Sequence, residues 1–399
     1  MGDATQGELR AVLGAGGASE APALEGGVLE AALHPAECDA LAEVMRICSA
    51  AEAGLLIRGG GSKIGFANVP GRARFLLELG GLAAEPEIDP EDGVARLSAA
   101  TPLSEVREAL EGSGWELPLD PPGAGATVGG TLAAMAAGPR FGAPKDVVLG
   151  MNVCLASGER VKFGGRVVKN VTGYDLAKLF VGSFGTLGVI ESVWLRLRPV
   201  PEASRVFRAG AGRDAALNLE VARLSTARVC ASSNEAGEDE VLLELAGDVP
   251  AMDADLAAAR RVTDWEEVDA GEVDRVRARQ GAGPVRVRVA GLPTRTAEAA
   301  GALRAAGADT TLTYLARGTV YGWFGASADE PAVGAIWQAA RLAADRGCGP
   351  FAIEEAGVEV RRGQDVFGPA GDTLPLQRQI KRQYDPVGIL NPGRFVGGL

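Results

Sequence analysis

The chain has 399 residues, of which 47 % are hydrophobic and 23 % charged, enough apolar side chain for two domains and too much for wholesale disorder. With 52 acidic against 40 basic residues the net charge is −12, the wrong sign for a free nucleic-acid binder. A single histidine, His34, rules out His-rich zinc or iron sites and leaves a Ser-His-Asp triad without support.

In chain order, residues 1–22 are small and weakly patterned and read as a flexible N-terminal arm. Leu41, Val44, Met45 and Cys48 fall at helical spacing, so Cys38–Glu52 reads as an amphipathic helix. Leu55–Ile57 form a short strand that stops at Arg58-Gly59-Gly60-Gly61-Ser62-Lys63. Phe75–Leu79 and Val94–Ser98 are further strands, and Pro102–Leu110 a helix with Thr101 at its N-cap. A second glycine loop, Pro122-Gly123 through Thr127-Val128-Gly129-Gly130, opens into a small-residue helix over Thr131–Ala137. Val147–Leu155 and Arg160–Phe163 flank a Ser157-Gly158 hairpin turn, and Asp175–Val181 is helical. A third loop, Gly182-Ser183-Phe184-Gly185-Thr186-Leu187-Gly188, runs into the strand Val189–Leu197, which Pro199 and Pro201 end.

Beyond this point the texture changes. Helical patterns (Asp214–Leu224, Met252–Val262, Thr296–Ala306, Pro331–Ala344) alternate with strand-like runs at Val241–Leu245, Val285–Val289, Thr311–Leu315 and Val320–Phe324. The alternation predicts an α+β domain with helices on one face of an antiparallel sheet. A short helix over Leu376–Tyr384 precedes the C-terminal Asn391-Pro392-Gly393-Arg394.

Cys38, Cys48, Cys154, Cys230 and Cys348 are odd in number and lack a C-x-x-C pair. They argue against a disulfide framework or an iron–sulfur cluster built by this chain, and for free thiols in a reducing cytosol. The N-terminus shows no signal-peptide pattern, and no run approaches the ~20 apolar residues that span a bilayer.

Glycine loops at strand ends suit anion binding, because backbone N–H groups without a Cβ beside them can turn inward as a nest. Among 56 glycines, any single loop also reads as an ordinary tight turn. The chain contains no Gly-Lys pair and so no P-loop. Gly123 and Gly125 begin a dinucleotide fingerprint that Val128 breaks, so a Rossmann domain is disfavoured.

Taken in order, Arg58–Lys63, Pro122-Gly123 with Thr127–Gly130, Gly182-Ser183-x-Gly185-Thr186-Leu187-Gly188-Val189-Ile190 and Asn391–Arg394 resemble the FAD-binding domain of the vanillyl-alcohol-oxidase / p-cresol-methylhydroxylase superfamily. Gly164-Gly165 through Lys169-Asn170 and Gly173-Tyr174-Asp175, with Gly138-Pro139-Arg140 and Asp146 through Gly150, look like the FAD-binding E subunits of bacterial glycolate oxidases. The resemblance is strong over residues 30–200 and 375–399 and weak between them. It implies an α+β fold: a two-subdomain FAD-binding domain at 23–201, a smaller α+β cap domain at 202–365, and a C-terminal return to the cofactor at 366–399.

The resemblance also assigns roles. Arg58, Gly59, Gly60, Gly61, Ser62 and Lys63 would face the pyrophosphate, and Pro122, Gly123, Thr127, Gly129 and Gly130 would close the other side. Gly182, Ser183, Gly185, Thr186, Gly188, Val189 and Ile190 would pass the adenosine half. Asn391 and Arg394 would return near the flavin ring, where a cation stabilises its anionic reduced form. Lys63 follows Ser62 where some relatives carry a histidine that bonds FAD covalently, so FAD is expected to be non-covalent.

Oxidising a 2-hydroxy acid needs a carboxylate clamp and a route for the hydroxyl proton. Arg140, Arg166 and Lys169 are candidate clamps, Tyr174 and Asp175 candidate polar groups, and Arg394 a cation at the ring. The related catalytic D subunits use a histidine-containing metal and base site that this chain lacks, so no metal is expected. The resemblance thus implies a subunit that binds FAD and passes electrons within a complex oxidising glycolate to glyoxylate. Its partners would be a catalytic D-type subunit and an iron–sulfur subunit. It would be cytoplasmic, or held at the inner membrane through a partner, with no direct insertion. A stand-alone FAD-dependent 2-hydroxyacid dehydrogenase and a non-catalytic flavin-fold scaffold are the alternatives.

Overall fold

A computed structural model describes residues 2–24, 27–166, 175–210, 223–235, 238–325 and 330–399. The chain divides into two units: Met1–Ala137, Gly142–Pro199 and Pro369–Leu399 form the first, Gly138–Phe141 and Val200–Gly368 the second.

The N-terminal residues are not the flexible arm that their composition suggests. Gly2–Leu13 is a helix, α1, followed by a two-residue strand β1 (Ala18–Ser19) paired antiparallel with β2 (Ala31–Leu33). Leu9 is 1 % exposed and shares a core with Leu41, Val44 and Met45 of α2 (Cys38–Ala50). Leu9, with Val12 and Leu13 packed against the same core, fixes a helix that the small and polar residues around them hide. β3 (Gly54–Arg58) and β2 both run parallel to β4 (Ala73–Glu78), giving the sheet order β1-β2-β4-β3.

The second sheet of this unit holds β5 (Glu87–Asp89), β6 (Val94–Ser98), β8 (Val148–Cys154), β9 (Arg160–Gly164) and β10 (Val189–Arg196). Its order is β5-β6-β10-β8-β9, antiparallel throughout. β7 (Trp115–Glu116) pairs separately with β11 (Arg198–Pro199). Under this sheet pack α3 (Leu103–Ala109), α4 (Val128–Ala133) and α5 (Ala177–Phe180) around Leu97, Val106, Leu132, Phe180 and Val193. Two sheets with separate cores make this unit the two-subdomain domain that the glycine motifs imply.

Two helix starts move. α4 begins at Val128 rather than Thr131, because Thr127 is its N-cap and accepts from the Gly130 amide at 3.2 Å. Thr101 does not cap α3; its hydroxyl donates to the Ala84 carbonyl at 2.7 Å.

The second unit is one eight-stranded antiparallel sheet, built from β12 (Ala203–Gly210), β13 (Ala227–Glu235), β14 (Glu238–Gly247), β15 (Glu266–Val268), β16 (Val285–Ala290), β17 (Thr310–Tyr314), β18 (Thr319–Phe324) and β19 (Phe351–Glu355). The order is β15-β12-β14-β13-β17-β18-β16-β19. α6 (Val249–Ala259) packs on Phe207 and Leu243, while α8 (Thr296–Ala305) and α9 (Glu330–Gly347) pack on Val287, Val289 and Val320 of the same face. The sequence predicts helices on one face only. A further helix, α7 (Glu272–Gln280), instead packs Val273 on the opposite face, against Val206, Leu242 and Tyr321. Its charged sequence EVDRVRARQ hides it, since a single valine is its fully buried apolar anchor. Residues 214–222 of the expected helix Asp214–Leu224 lie outside the described residues.

After a short helix α10 (Val358–Arg361), the chain returns to the first unit as α11 (Leu374–Tyr384). Tyr384 meets Phe180 edge-on at 5.3 Å. Residues 389–391 then lie along β3, with Leu55 N donating to Ile389 O at 2.7 Å and Asn391 N to Leu55 O at 2.9 Å.

Candidate functional site

β3 ends at Arg58, whose guanidinium forms a two-point ion pair with Glu78 on β4. The chain then turns through Gly59–Ser62, where Gly61 is left-handed (φ +76°). Among the described residues, nothing accepts a hydrogen bond from the amides of Gly59, Gly60, Gly61 or Ser62. Four consecutive unsatisfied N–H groups form a concave donor surface suited to an anion.

The second loop is built the other way. Val128 N donates to Thr101 O at 3.0 Å and Gly129 N to Ala99 O at 2.7 Å, and Gly130 N is held by Thr127. The amides at its helix end are consumed, so Gly129 and Gly130 serve close packing. A Cβ at Gly129 would sit 2.6 Å from that of Ala99, and one at Gly60 would sit 1.8 Å from the Gly125 carbonyl. Glycine in the first two loops therefore lets one loop press against the other, a requirement separate from anion approach. Lys63 completes that contact, its ammonium donating to Pro122 O at 2.7 Å.

The third loop hangs from α4. Gly182 N donates to Leu132 O and Phe184 N to Ala133 O, both at 2.9 Å. Gly188 packs where a Cβ would lie 2.5 Å from a Val153 methyl.

These loops surround one cleft of about 840 Å³, its solvent mouth included. Arg58, Gly59, Gly60, Gly61, Ser62 and Lys63 line it from the first loop, and Thr127, Gly129 and Gly130 from the second. Ser183, Gly185, Gly188, Val189 and Ile190 line it from the third, with Asn391 and Arg394 from the C-terminus. Pro122, Gly123, Gly182 and Thr186 stand behind the wall: Pro122 receives Lys63, and Thr186 lends its carbonyl to Lys381 at 2.8 Å.

Sequence reasoning missed Ile57, Ile64, Leu79, Ala99, Ala133, Ala134 and Phe184. The small-residue run Thr131–Ala137 is the signal that could have found Ala133 and Ala134, at the end of α4. Phe184 gave no signal, because a phenylalanine at φ +53° is not expected from sequence. Its ring packs edge-on against Phe66 at 4.8 Å.

The charged side chains lining the cleft are Arg58, Lys63 and Arg394, with no carboxylate among them, in a chain of net charge −12. Unsatisfied amides, basic charge and the apolar walls from Ile57, Ile64, Leu79 and Ile190 fit an anionic diphosphate carrying ring systems, as FAD does. Arg394 is 6 % exposed and donates to the carbonyls of Ile64 and Phe66 at 3.0 and 2.8 Å, so it also braces the turn after the first loop. His34 is outside the lining, 2.8 Å from the Ser19 hydroxyl.

The other expected polar residues are placed elsewhere. Arg140 belongs to the second unit, where Nε meets both Glu244 oxygens at 3.0 Å, and the neighbouring Gly138 carbonyl accepts from Arg317 at 2.7 Å. Arg166 pairs with Asp89 and Asp92 at the surface, and Asp175 with Lys178 at 2.9 Å. Lys169 and Tyr174 lie outside the described residues. Among the described residues, no group of His, Cys, Asp and Glu is arranged to hold a metal ion, and no helix is long and apolar enough to cross a membrane.

Residues 29–164 match the FAD binding domain family. Over the whole chain the fold is similar to p-cresol methylhydroxylase, with a TM-score of 0.75 at 16 % identity, covering 98 % of this chain and 96 % of that one. The chain is 31 % identical to the glycolate oxidase subunit GlcD of Bacillus subtilis (strain 168) over 45 % of its own length and 39 % of that protein. It is 30 % identical to the glycolate oxidase subunit GlcE of Escherichia coli (strain K12) over 78 % of its length and 84 % of that protein. With similarity extending through both units of the fold and over most of that relative, the chain belongs to the glycolate oxidase subunit GlcE family and carries an FAD binding domain.

Proposed function

We propose that this chain is the FAD-binding subunit of a complex that oxidises glycolate, or a close 2-hydroxy acid, to the 2-oxo acid. The observation that carries the proposal is the cleft: four unsatisfied amides at Gly59–Ser62 beside a lining whose charges are all basic. Bound there, FAD supplies two-electron redox chemistry to its partner chain. The chain's own residues bind and orient it. Gly59–Ser62 would hold the diphosphate, Lys63 and Arg394 would offset its charge, and Val189 and Ile190 would face the adenosine half. Binding is non-covalent.

Substrate oxidation itself belongs to a partner in this reading. Arg140 is committed to Glu244 and Arg166 to Asp89 and Asp92, so neither offers a carboxylate its full guanidinium fork. A catalytic D-type subunit would hold the substrate, and an iron–sulfur subunit would accept electrons. The assembly would be cytoplasmic, or peripheral to the inner membrane through a partner.

The test is to load the purified chain with FAD and follow glycolate-dependent bleaching of the flavin bands, alone and with a D-type subunit added. The expected outcome is stoichiometric FAD uptake by the lone chain and bleaching only in the mixture. Absence of FAD uptake removes the cofactor reading. Bleaching by the lone chain at the rate of the mixture removes the division of labour.

A further inference from the structure

We propose that Asn391 is a positioning residue that sets the third glycine loop before the cofactor enters, a proposal that rests on the FAD reading above. Its side chain spans two walls of the cleft. Oδ1 accepts from the Ile57 amide at 2.8 Å, at the end of β3, and Nδ2 donates to the Phe184 carbonyl at 2.6 Å, in the third loop. Ile57 and Phe184 both line the cleft. One primary amide thus joins segments from the two subdomains of the first unit.

Three features show that the joint is built. Asn391 is 5 % exposed and left-handed at φ +43°, a conformation asparagine tolerates better than most residues. The bend that it holds is itself left-handed at Phe184 and Gly185, φ +53° and +68°. A Cβ at Gly185 would lie 2.8 Å from Asn391 Nδ2, so the loop rests directly on the amide.

The asparagine is in turn aimed by a rigid return. Asp385 accepts from the amides of Gly388, Ile389 and Leu390, and Lys381 donates to Asp385, to Leu390 O and to Thr186 O. Thr186 lies in the same third loop, which therefore has two carbonyls tied to the C-terminal segment. A loop fixed in its bound shape gives up less freedom on binding, so cutting the tie should loosen the loop and weaken FAD, and because Asn391 also lines the cleft, loop order in the FAD-free chain is the deciding readout.

Asn391→Asp tests this, because it keeps the acceptor for Ile57 N and loses the donor to Phe184 O. Asn391→Gly keeps the left-handed backbone and loses both bonds. Hydrogen exchange of the FAD-free chains reads loop order, and flavin fluorescence titration reads affinity. In Asn391→Asp, exchange should accelerate over Gly182–Gly188 while α2 and β2–β4 stay protected. FAD should bind about tenfold more weakly, and saturating FAD should restore protection. Unchanged exchange over Gly182–Gly188 overturns the proposal whatever happens to affinity, because Asn391 lines the cleft and aspartate adds a charge there. Acceleration spread across the whole unit also overturns it, since that marks a general structural role. If Asn391→Gly fails to fold, Asn391→Asp alone decides. If the unaltered chain binds no FAD, the cofactor reading fails instead, a separate outcome.

Discussion

The ammonium of Lys63 donates to the Pro122 carbonyl at 2.7 Å, joining the first two glycine loops across 59 positions of sequence. The bond fixes how far the loops can part, and it keeps a cation in a cleft whose lining charges are all basic.

Replacing Lys63 with methionine keeps the stem and removes both the bond and the charge. FAD affinity should fall about tenfold, ~1.4 kcal/mol, the scale of one charge-assisted hydrogen bond. Part of that loss is electrostatic, so the affinity of the variant should also respond less to ionic strength. Titration with FAD at low and high salt measures both. An equal salt response in the two proteins would mean that Lys63 acts as a strut alone.

The glycine clusters themselves were legible, since strand-like runs leading into Gly-rich stretches mark where backbone turns near a ligand. Their individual reasons were not. Gly129 is required by Ala99, Gly60 by the Gly125 carbonyl and Gly188 by Val153, neighbours that only the fold brings together. The same holds for the expected clamp. Arg140 stands beside a flavin motif in sequence, yet its guanidinium is committed to Glu244, 104 positions away. Local pattern identified the loops that line the cleft because each is contiguous in sequence. It did not identify α1, α7 or Phe184, which rest on a few apolar side chains amid polar or small ones, or on one unusual dihedral.

Gly60→Ala should part the first two loops, because a Cβ 1.8 Å from a backbone oxygen has no rotamer that avoids it. Loss of ~1–3 kcal/mol of stability and of measurable FAD binding is expected. Gly7→Ala is the opposite case: nothing lies within 4 Å of the added methyl, in the middle of α1. It should stabilise by ~0.5–1 kcal/mol and leave FAD binding alone. Urea denaturation of the two variants separates a packing requirement from mere helix propensity.

Glu244 is 2 % exposed and depends on Arg140. Arg140→Met should therefore cost the second unit about 3–5 kcal/mol, because a buried carboxylate loses its charged partner and keeps the Ser204 hydroxyl at 3.1 Å. Arg140→Met with Glu244→Leu should recover much of that loss, since no buried charge then remains and the Asp274 carboxylate left behind is exposed. Denaturation followed by tryptophan fluorescence reads this unit in a background where Trp115 and Trp194 of the first unit are replaced by phenylalanine. A single variant as stable as the parent, with glycolate turnover of the assembled complex abolished, would return Arg140 to a role at substrate.

Cys48 and Cys154 are buried, and burial pushes both thiols from 9.0 up to about 12. The native state therefore holds their protons where the unfolded chain has released them. Above pH 9 the folded form binds more protons than the unfolded one, so stability falls as pH rises, until the folded thiols also ionise near 12. Each thiol contributes a slope of up to ~1.4 kcal/mol per pH unit in that window and none below it. Urea midpoints measured from neutral to alkaline pH should drop accordingly, and the drop should shrink when both cysteines are replaced by alanine. Thiol reagents should meanwhile modify exposed Cys348 in the native protein and spare Cys48 and Cys154. Rapid native labelling of either buried thiol at neutral pH would show that the core around Leu41, Val44 and Leu55 opens far more readily than its packing implies.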